Sequence, residues 1–315
     1  MRLRALGMVL VVASFAGCVR PPVVPVPPAS PAPQVRETAL QNGFLKIRVE
    51  LPDGVTTPVP AVISLLGEGD ALRRLGIAVV TYELQWGQLG PKKAAPAGPA
   101  PTAPAPAAVA PPPPAARTWG KWLLVSPSPD VIGQGYFRLI SGNAEVQVPQ
   151  VLDWLTTLPE IDPTRIGIAG ISTNGFKALQ ATAFDKRLRA AVAIAACGDY
   201  HCFLESSSLA LNQEEPIDLE PAYEKWLRAR EPIRHPKAFV HAAVLMVNGG
   251  KDVAVPGACA VETAKVFERA YAAGGVPERF RFVYVEGGGH DLGDEVRYQT
   301  LAWLYRWLVA PVVDG

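Results

Sequence analysis

The sequence predicts an α/β fold in which a mostly parallel central sheet carries helices on both faces. Three observations point there. Short unbroken runs of Val, Ile, Leu and Ala recur along the chain, as expected of strands buried on both sides. Stretches with apolar residues at helical spacing separate them, so strand and helix alternate. The chain has 315 residues, 49% of them hydrophobic, which is ample for one extended core. Its 30 basic residues against 29 acidic ones argue against a nucleic-acid partner, because phosphate contacts need an excess of Lys and Arg.

The chain opens with Met1-Arg2-Leu3-Arg4, then an apolar run from Ala5 to Ala16, then Gly17-Cys18. Positive charge followed by roughly a dozen apolar residues is the form of a secretory signal and is too short to span a bilayer. Seven prolines between residues 21 and 33 make residues 19–36 an expected extended tether. Ten more between residues 91 and 114 mark residues 91–116 as an expected disordered insertion, since Pro and Ala alone offer little to bury. The folded domain is expected over residues 37–315.

Within it, Phe44 to Leu51 alternates apolar and charged residues and predicts a half-buried strand closed by the turn Pro52-Asp53-Gly54. Val59 to Leu66 and Gly76 to Tyr82 predict buried strands, with a short helix over Asp70–Leu75 between them. Val146, Val151, Leu152, Leu155 and Leu158 lie on one face at helical spacing. Ile161 to Arg165 is expected to turn the chain into a strand over Ile166–Gly170, with a helix from about Gly175 to Phe184 behind it. Strands follow over Ala190–Ala196, Phe239–Val247 and Arg279–Val285, with helices over Val261–Ala273 and Val296–Leu308.

In a parallel sheet of this kind, sites form in the loops at the carboxyl ends of the strands. Gly170-Ile171-Ser172-Thr173-Asn174-Gly175 occupies one such loop, directly before a helix. A serine on a tight strand-to-helix turn is lifted clear of the sheet, and the helix start behind it aims N–H groups at a developing oxyanion. Val247-Asn248-Gly249-Gly250-Lys251-Asp252-Val253-Ala254-Val255-Pro256 and Val285-Glu286-Gly287-Gly288-Gly289-His290 end two later strands. Asp199 follows the Ala190–Ala196 strand and is a second candidate acid, without the glycines and proline that mark Asp252.

In these three segments, and in the order Ser, Asp, His, the sequence resembles the α/β-hydrolase superfamily, with its nearest likeness to the dienelactone-hydrolase-like and prolyl-oligopeptidase-like branches. The resemblance covers roughly residues 40–310. It implies an α/β-hydrolase fold and a serine hydrolase mechanism: Ser172 as nucleophile, His290 as base and Asp252 as the acid that orients it. Asn174 stands where the pattern G-x-S-x-G has its last glycine, and Asn tolerates the left-handed backbone that this position is expected to need. The oxyanion donors implied are the backbone N–H groups of Thr173 and Glu68, the latter in Leu66-Gly67-Glu68-Gly69, where the family often has His-Gly.

Phe15-Ala16-Gly17-Cys18 resembles a bacterial lipobox, which implies lipidation of Cys18, membrane attachment through that anchor, and an outer-membrane or periplasmic location. The expected substrate is a small molecule with an ester-type bond, cleaved through an acyl-enzyme. Ester bonds are preferred over peptide bonds because no propeller-like domain precedes the catalytic part. Thioesterase, peptidase and acyltransferase chemistry share the same triad, and a catalytically silent envelope binding protein is the rival from another class. No cofactor is expected. No metal is expected either, because Cys197, Asp199, His201 and Cys202 crowd four ligand types into six residues and cannot easily surround a tetrahedral ion. Three cysteines remain after Cys18, and their pairing stays open. His235 and His241 are expected to be structural, and Trp86, Trp119 and Trp122 to pack the core. Residues Cys202–Arg234 and 83–140 are expected to build the substrate pocket.

Overall fold

The computed structural model describes residues 33–41, 43–66, 69–84, 135–212, 217 and 219–310. The signal and lipobox with Cys18, most of the expected tether, the Pro-rich insertion and Trp86, Trp119 and Trp122 lie outside the described residues. So does Glu68.

Eight strands form one sheet in the order β1-β2-β4-β3-β5-β6-β7-β8. They are β1 (Gln34–Leu40), β2 (Leu45–Leu51), β3 (Val59–Leu65), β4 (Ala78–Leu84), β5 (Ile161–Ile171), β6 (Leu188–Ile194), β7 (Ala243–Gly249) and β8 (Phe280–Val285). The pairs β1–β2 and β2–β4 are antiparallel, and every pair from β4–β3 through β7–β8 is parallel. Helix α1 (Gly69–Arg74) joins β3 to β4. Helices α2 (Tyr136–Gly142) and α3 (Val148–Leu155) precede β5, and α4 (Thr173–Phe184) follows it. Between β6 and β7 come α5 (Tyr200–Ser206), α6 (Ser208–Leu211) and α7 (Pro221–Arg228); α8 (Gly257–Ala273) precedes β8 and α9 (Gly293–Leu308) closes the described chain.

The period of two divides the core. On β6 and β7, Ala191, Ala193, Val244 and Met246 enter one hydrophobic cluster, with residues of α2, α3, α4 and α8. Ala190, Val192, Ile194, Ala243, Leu245 and Val247 enter the other, with Leu72 of α1 and Val296, Trp303, Leu304 and Leu308 of α9. Both faces of these strands are therefore covered, which is why their sequences read as apolar runs rather than alternations.

Several expectations are corrected. Strand β1 begins at Gln34, inside the span assigned to the tether, and pairs with β2 along its whole length. As a sheet edge it buries little, and Arg36 anchors it by an ion pair to Glu160 at 2.6 Å. The helical stripe holds for Val151, Leu152 and Leu155, all fully buried and each contributing about 1.5–3 kcal/mol by burial, with Val148 beside them; Leu158 lies beyond the end of α3 and is only partly buried. Val146 is 48% exposed, because a π-helical turn at Asn143–Gln147 shifts the phase before α3 begins. The turn expected at Ile161–Arg165 is a bulge within β5: Ile161 pairs with Val59, and the next pairing is Ile166 with Ala61. The strand expected from Phe239 starts only at Ala243. Pro236 opens a 3₁₀ turn there, and Tyr271 Oη donates to the carbonyls of Phe239 and Ala242, at 2.9 and 3.0 Å.

The open question of cysteine pairing resolves as Cys202–Cys259, joining α5 to α8 across 57 residues, with Cys197 buried and free. By chain-entropy reasoning a loop of this length contributes about 4 kcal/mol. Reduction, or Cys202→Ser with Cys259→Ser, is expected to lower Tm by on the order of 10 °C in calorimetry. An unchanged Tm would show that the link constrains the unfolded chain little.

Candidate active site

Ser172 joins β5 to α4 with φ 56° and ψ −127°. A side chain there is strained by about 1–3 kcal/mol, and such strain persists only where its surroundings enforce it. They do so here. The Ser172 N–H donates to Ile194 O of β6 at 2.8 Å, and its carbonyl accepts from Phe176 N at 3.0 Å. On either side the backbones crowd: a Cβ on Gly170 would lie 2.2 Å from Asn174 O, and one on Gly175 would lie 2.7 Å from Ile194 O. Gly175, one place later than the G-x-S-x-G pattern has its glycine, therefore supplies the close approach of α4 to β6. Asn174 needs no left-handed backbone. It lies in the first turn of α4, and the positive φ falls on Ser172 itself.

Thr173 is the first residue of α4, so its N–H has no partner within the helix and points out of the N-terminal end. Its hydroxyl lies 3.1 Å from the Oη of Tyr136, a buried residue of α2 that sequence reasoning missed. Burial pushes the Tyr136 phenol upward from its ordinary pKa, so it stays a neutral donor. Tyr136 stacks on Phe203 of α5, with centroids 5.4 Å apart, and meets Phe137 and Phe176 edge-on. No periodic pattern marks Tyr136, because its importance comes from tertiary neighbours.

Asp252 and His290 come together from the ends of β7 and β8. Gly250 N donates to Val285 O and Lys251 N to Gly288 O, both at 2.8 Å, stitching the two loops side by side. A Cβ on Gly249 would lie 2.3 Å from Gly289 O, so the glycines of both segments are what this approach requires. Asp252 is 4% exposed. Its Oδ1 accepts from Ala254 N and Val255 N, each at 2.9 Å, and its Oδ2 lies 2.8 Å from His290 Nδ1. A carboxylate accepts, so Nδ1 carries the hydrogen and Nε2 is left as the acceptor. The bond to Asp252 raises the His290 pKa above its ordinary value, partly opposed by desolvation. Among the described residues no hydrogen bond joins Ser172 Oγ to His290. Such bonds are commonly loose before substrate arrives.

The other candidates are held elsewhere. Asp199, the alternative acid, caps α5 by accepting from Cys202 N at 2.9 Å. His201 Nδ1 lies 2.9 Å from Glu231 Oε1, and Cys202 is in the disulfide. His235 and His241 lie within bonding distance of the backbone carbonyls of Arg228 and Ala238. Among the described residues no group of three or more His, Cys, Asp or Glu is placed to hold a metal. A cavity of 250 Å³ flanks the site, its wall mixing Leu66, Ile171, Ile194, Leu292 and Val296 with Asp291, Asp294, Arg297 and Thr300. Ile171 precedes Ser172 and Asp291 follows His290, while residues 85–134, most of one segment expected to build the pocket, lie outside the described residues.

An eight-stranded, mostly parallel sheet with helices on both faces and a serine on a strained strand-to-helix turn defines an α/β hydrolase. The chain belongs to the prolyl oligopeptidase family, Peptidase S9, whose profile matches residues 142–312. Solved structures share the fold at low identity. A puromycin-hydrolyzing peptidase of Mycobacterium tuberculosis is 19% identical with a TM-score of 0.58, covering 89% of this chain and 40% of its own. TT1662 from Thermus thermophilus is 20% identical with a TM-score of 0.56, covering 88% of this chain and 100% of its own. A 2,6-dihydroxy-pseudo-oxynicotine hydrolase is 19% identical with a TM-score of 0.50, covering 88% and 68%. The chain thus spans well under two thirds of the first of these. No curated protein matches the sequence significantly.

Proposed function

We propose that this protein is an exported carboxylesterase-type serine hydrolase whose triad is Ser172, His290 and Asp252. The observation that carries the proposal is the enforced backbone of Ser172 at the start of α4, with a histidine already oriented by a buried carboxylate at 2.8 Å. Ser172 Oγ attacks the acyl carbon while His290 Nε2 accepts its proton. The N–H of Thr173 stabilises the oxyanion, with Glu68 N–H as the second donor. Collapse of the tetrahedral adduct expels the alcohol, which takes the proton from His290. Water then repeats the sequence on the acyl-enzyme and frees the acid. Ester cleavage asks least of such a site, since an alkoxide leaves more readily than an amine. The small volume of the neighbouring cavity, 250 Å³, suits a compact acyl group.

Export is supported by the signal-like N-terminus and by the Cys202–Cys259 disulfide, a bond that persists in oxidising compartments. In that reading the mature chain is held at the outer membrane where Cys18 carries the lipid, and is periplasmic where it does not.

The missing Ser172–His290 bond favours a second reading, a silent binding scaffold. Intact-mass labelling of a form lacking residues 1–19 with a fluorophosphonate separates the two. A single adduct is expected on the wild type, lost in Ser172→Ala and in His290→Ala. No adduct on a folded protein would support the scaffold, and an adduct surviving Ser172→Ala would displace Ser172 as the nucleophile. Among p-nitrophenyl esters, acetyl and butyryl are expected to be cleaved faster than palmitoyl; the reverse order would reject the compact acyl pocket.

A further inference from the structure

The family pattern around the nucleophile ends in glycine, and this chain has Asn174 in its place. Two hydrogen bonds show what the added side chain does. Asn174 Nδ2 donates to the carbonyl of Leu65 at 3.3 Å, and Asn174 Oδ1 accepts from Lys177 Nζ at 3.1 Å. An ammonium can only donate and a carbonyl can only accept, so these two partners fix which way the amide faces. Leu65 is the last residue of β3, paired in register with Gly170 of β5. One side chain therefore bridges the turn that carries Ser172 and the end of the neighbouring strand. Lys177 completes the link from the second turn of α4. Burial lowers its pKa to about 8, so little water competes for its bond to the amide.

We infer that Asn174 is a positioning residue, tying the turn that carries Ser172 and the Thr173 N–H to the end of β3 so that this turn keeps its place. The inference rests on the reading of Ser172 as nucleophile. It assigns Asn174 no contact with substrate, so its loss acts on turnover rather than on binding. A displacement of one donor is costly in such sites. Losing a tether that is one neutral hydrogen bond strong costs part of that, about 3- to 10-fold.

The test compares wild type, Asn174→Gly, Asn174→Ala and Lys177→Met on p-nitrophenyl acetate, with fluorophosphonate labelling and amide hydrogen exchange on each. Asn174→Gly restores the family residue, and Asn174→Ala removes the tether without loosening the first turn of α4. The glycine and alanine variants are expected to lose about 3- to 10-fold in kcat with KM within twofold. They are also expected to exchange faster at Leu65 and Leu66 and to label fully but more slowly at Ser172. Lys177→Met keeps the bond to Leu65 and is expected to lose less than either. Wild-type kcat in Asn174→Gly, a fall in kcat without faster exchange, or faster exchange without a fall in kcat would each overturn the positioning role while leaving Ser172 in place. If wild type itself does not label at Ser172, the nucleophile reading falls, and the positioning role falls with it.

Discussion

Ser172→Ala is expected to lower turnover of an activated ester by about 10⁶-fold, the scale on which serine protease nucleophiles act, with the fold unchanged. The residual rate would come from Thr173 N–H and from binding alone. The strain at Ser172 adds a second readout. At φ 56° and ψ −127° both Ser and Ala are strained, whereas glycine is not. Ser172→Gly should therefore be as inactive as Ser172→Ala yet more stable, by up to about 2 kcal/mol once the 0.5–1 kcal/mol entropic cost of glycine is subtracted. Thermal unfolding of the two variants measures the difference. Equal stability would mean that the turn relaxes in solution, and a Ser172→Ala enzyme within tenfold of wild type would remove Ser172 from the chemistry.

The buried strands and the helices between them were legible because burial on both faces leaves an unbroken apolar run, and burial on one leaves a stripe. Edge strand β1 was not, since Gln34-Val35-Arg36-Glu37-Thr38-Ala39-Leu40 buries little and is held by pairing and by Glu160. The phase shift that exposes Val146 was hidden because a π turn leaves no mark in the residues themselves. Helices α5 to α7 are too short to show a clear apolar period and are held by the disulfide, by Asp199 as a cap, and by the hydrogen bond from Ser208 N to Val253 O at 2.7 Å.

The candidate site was legible for a different reason. Ser172, Asp252 and His290 sit at strand ends among glycines, and the crowding of backbones at Gly170, Gly175 and Gly249 explains why glycine was needed there. Asn174 departs from the family glycine without needing a left-handed backbone, and its amide bonds to Leu65 and Lys177 leave no mark in the sequence. Tyr136 and the pairing of Cys202 with Cys259 depend on residues that meet only in three dimensions.

Asp252→Asn is expected to lower kcat/KM by about 10⁴-fold, the scale seen when the buried acid of a serine protease triad becomes an amide. The geometry says why. Oδ1 accepts from two backbone N–H groups, of Ala254 and Val255, and the amide oxygen of Asn will keep those bonds. Its NH₂ must then face His290 Nδ1, which becomes an acceptor and leaves the hydrogen on Nε2, where a base is needed. The pH profile should move as well. In the wild type, Asp252 raises the His290 pKa above 6.5, and the neutral imidazole is the active form, so the acid limb of kcat/KM lies above pH 6.5. Without the carboxylate that limb shifts to lower pH. Stability runs the other way. A pKa raised in the folded state stabilises the fold below about pH 6.5, and that contribution is lost as pH rises through the folded value. The wild type thus gains activity over the range in which it loses this stabilisation, whereas Asp252→Asn should show its activity limb at lower pH and no such loss of stability. A pH series of rate and of Tm on both proteins tests the pair. An Asp252→Asn enzyme that kept the wild-type limb would mean that another acid orients His290.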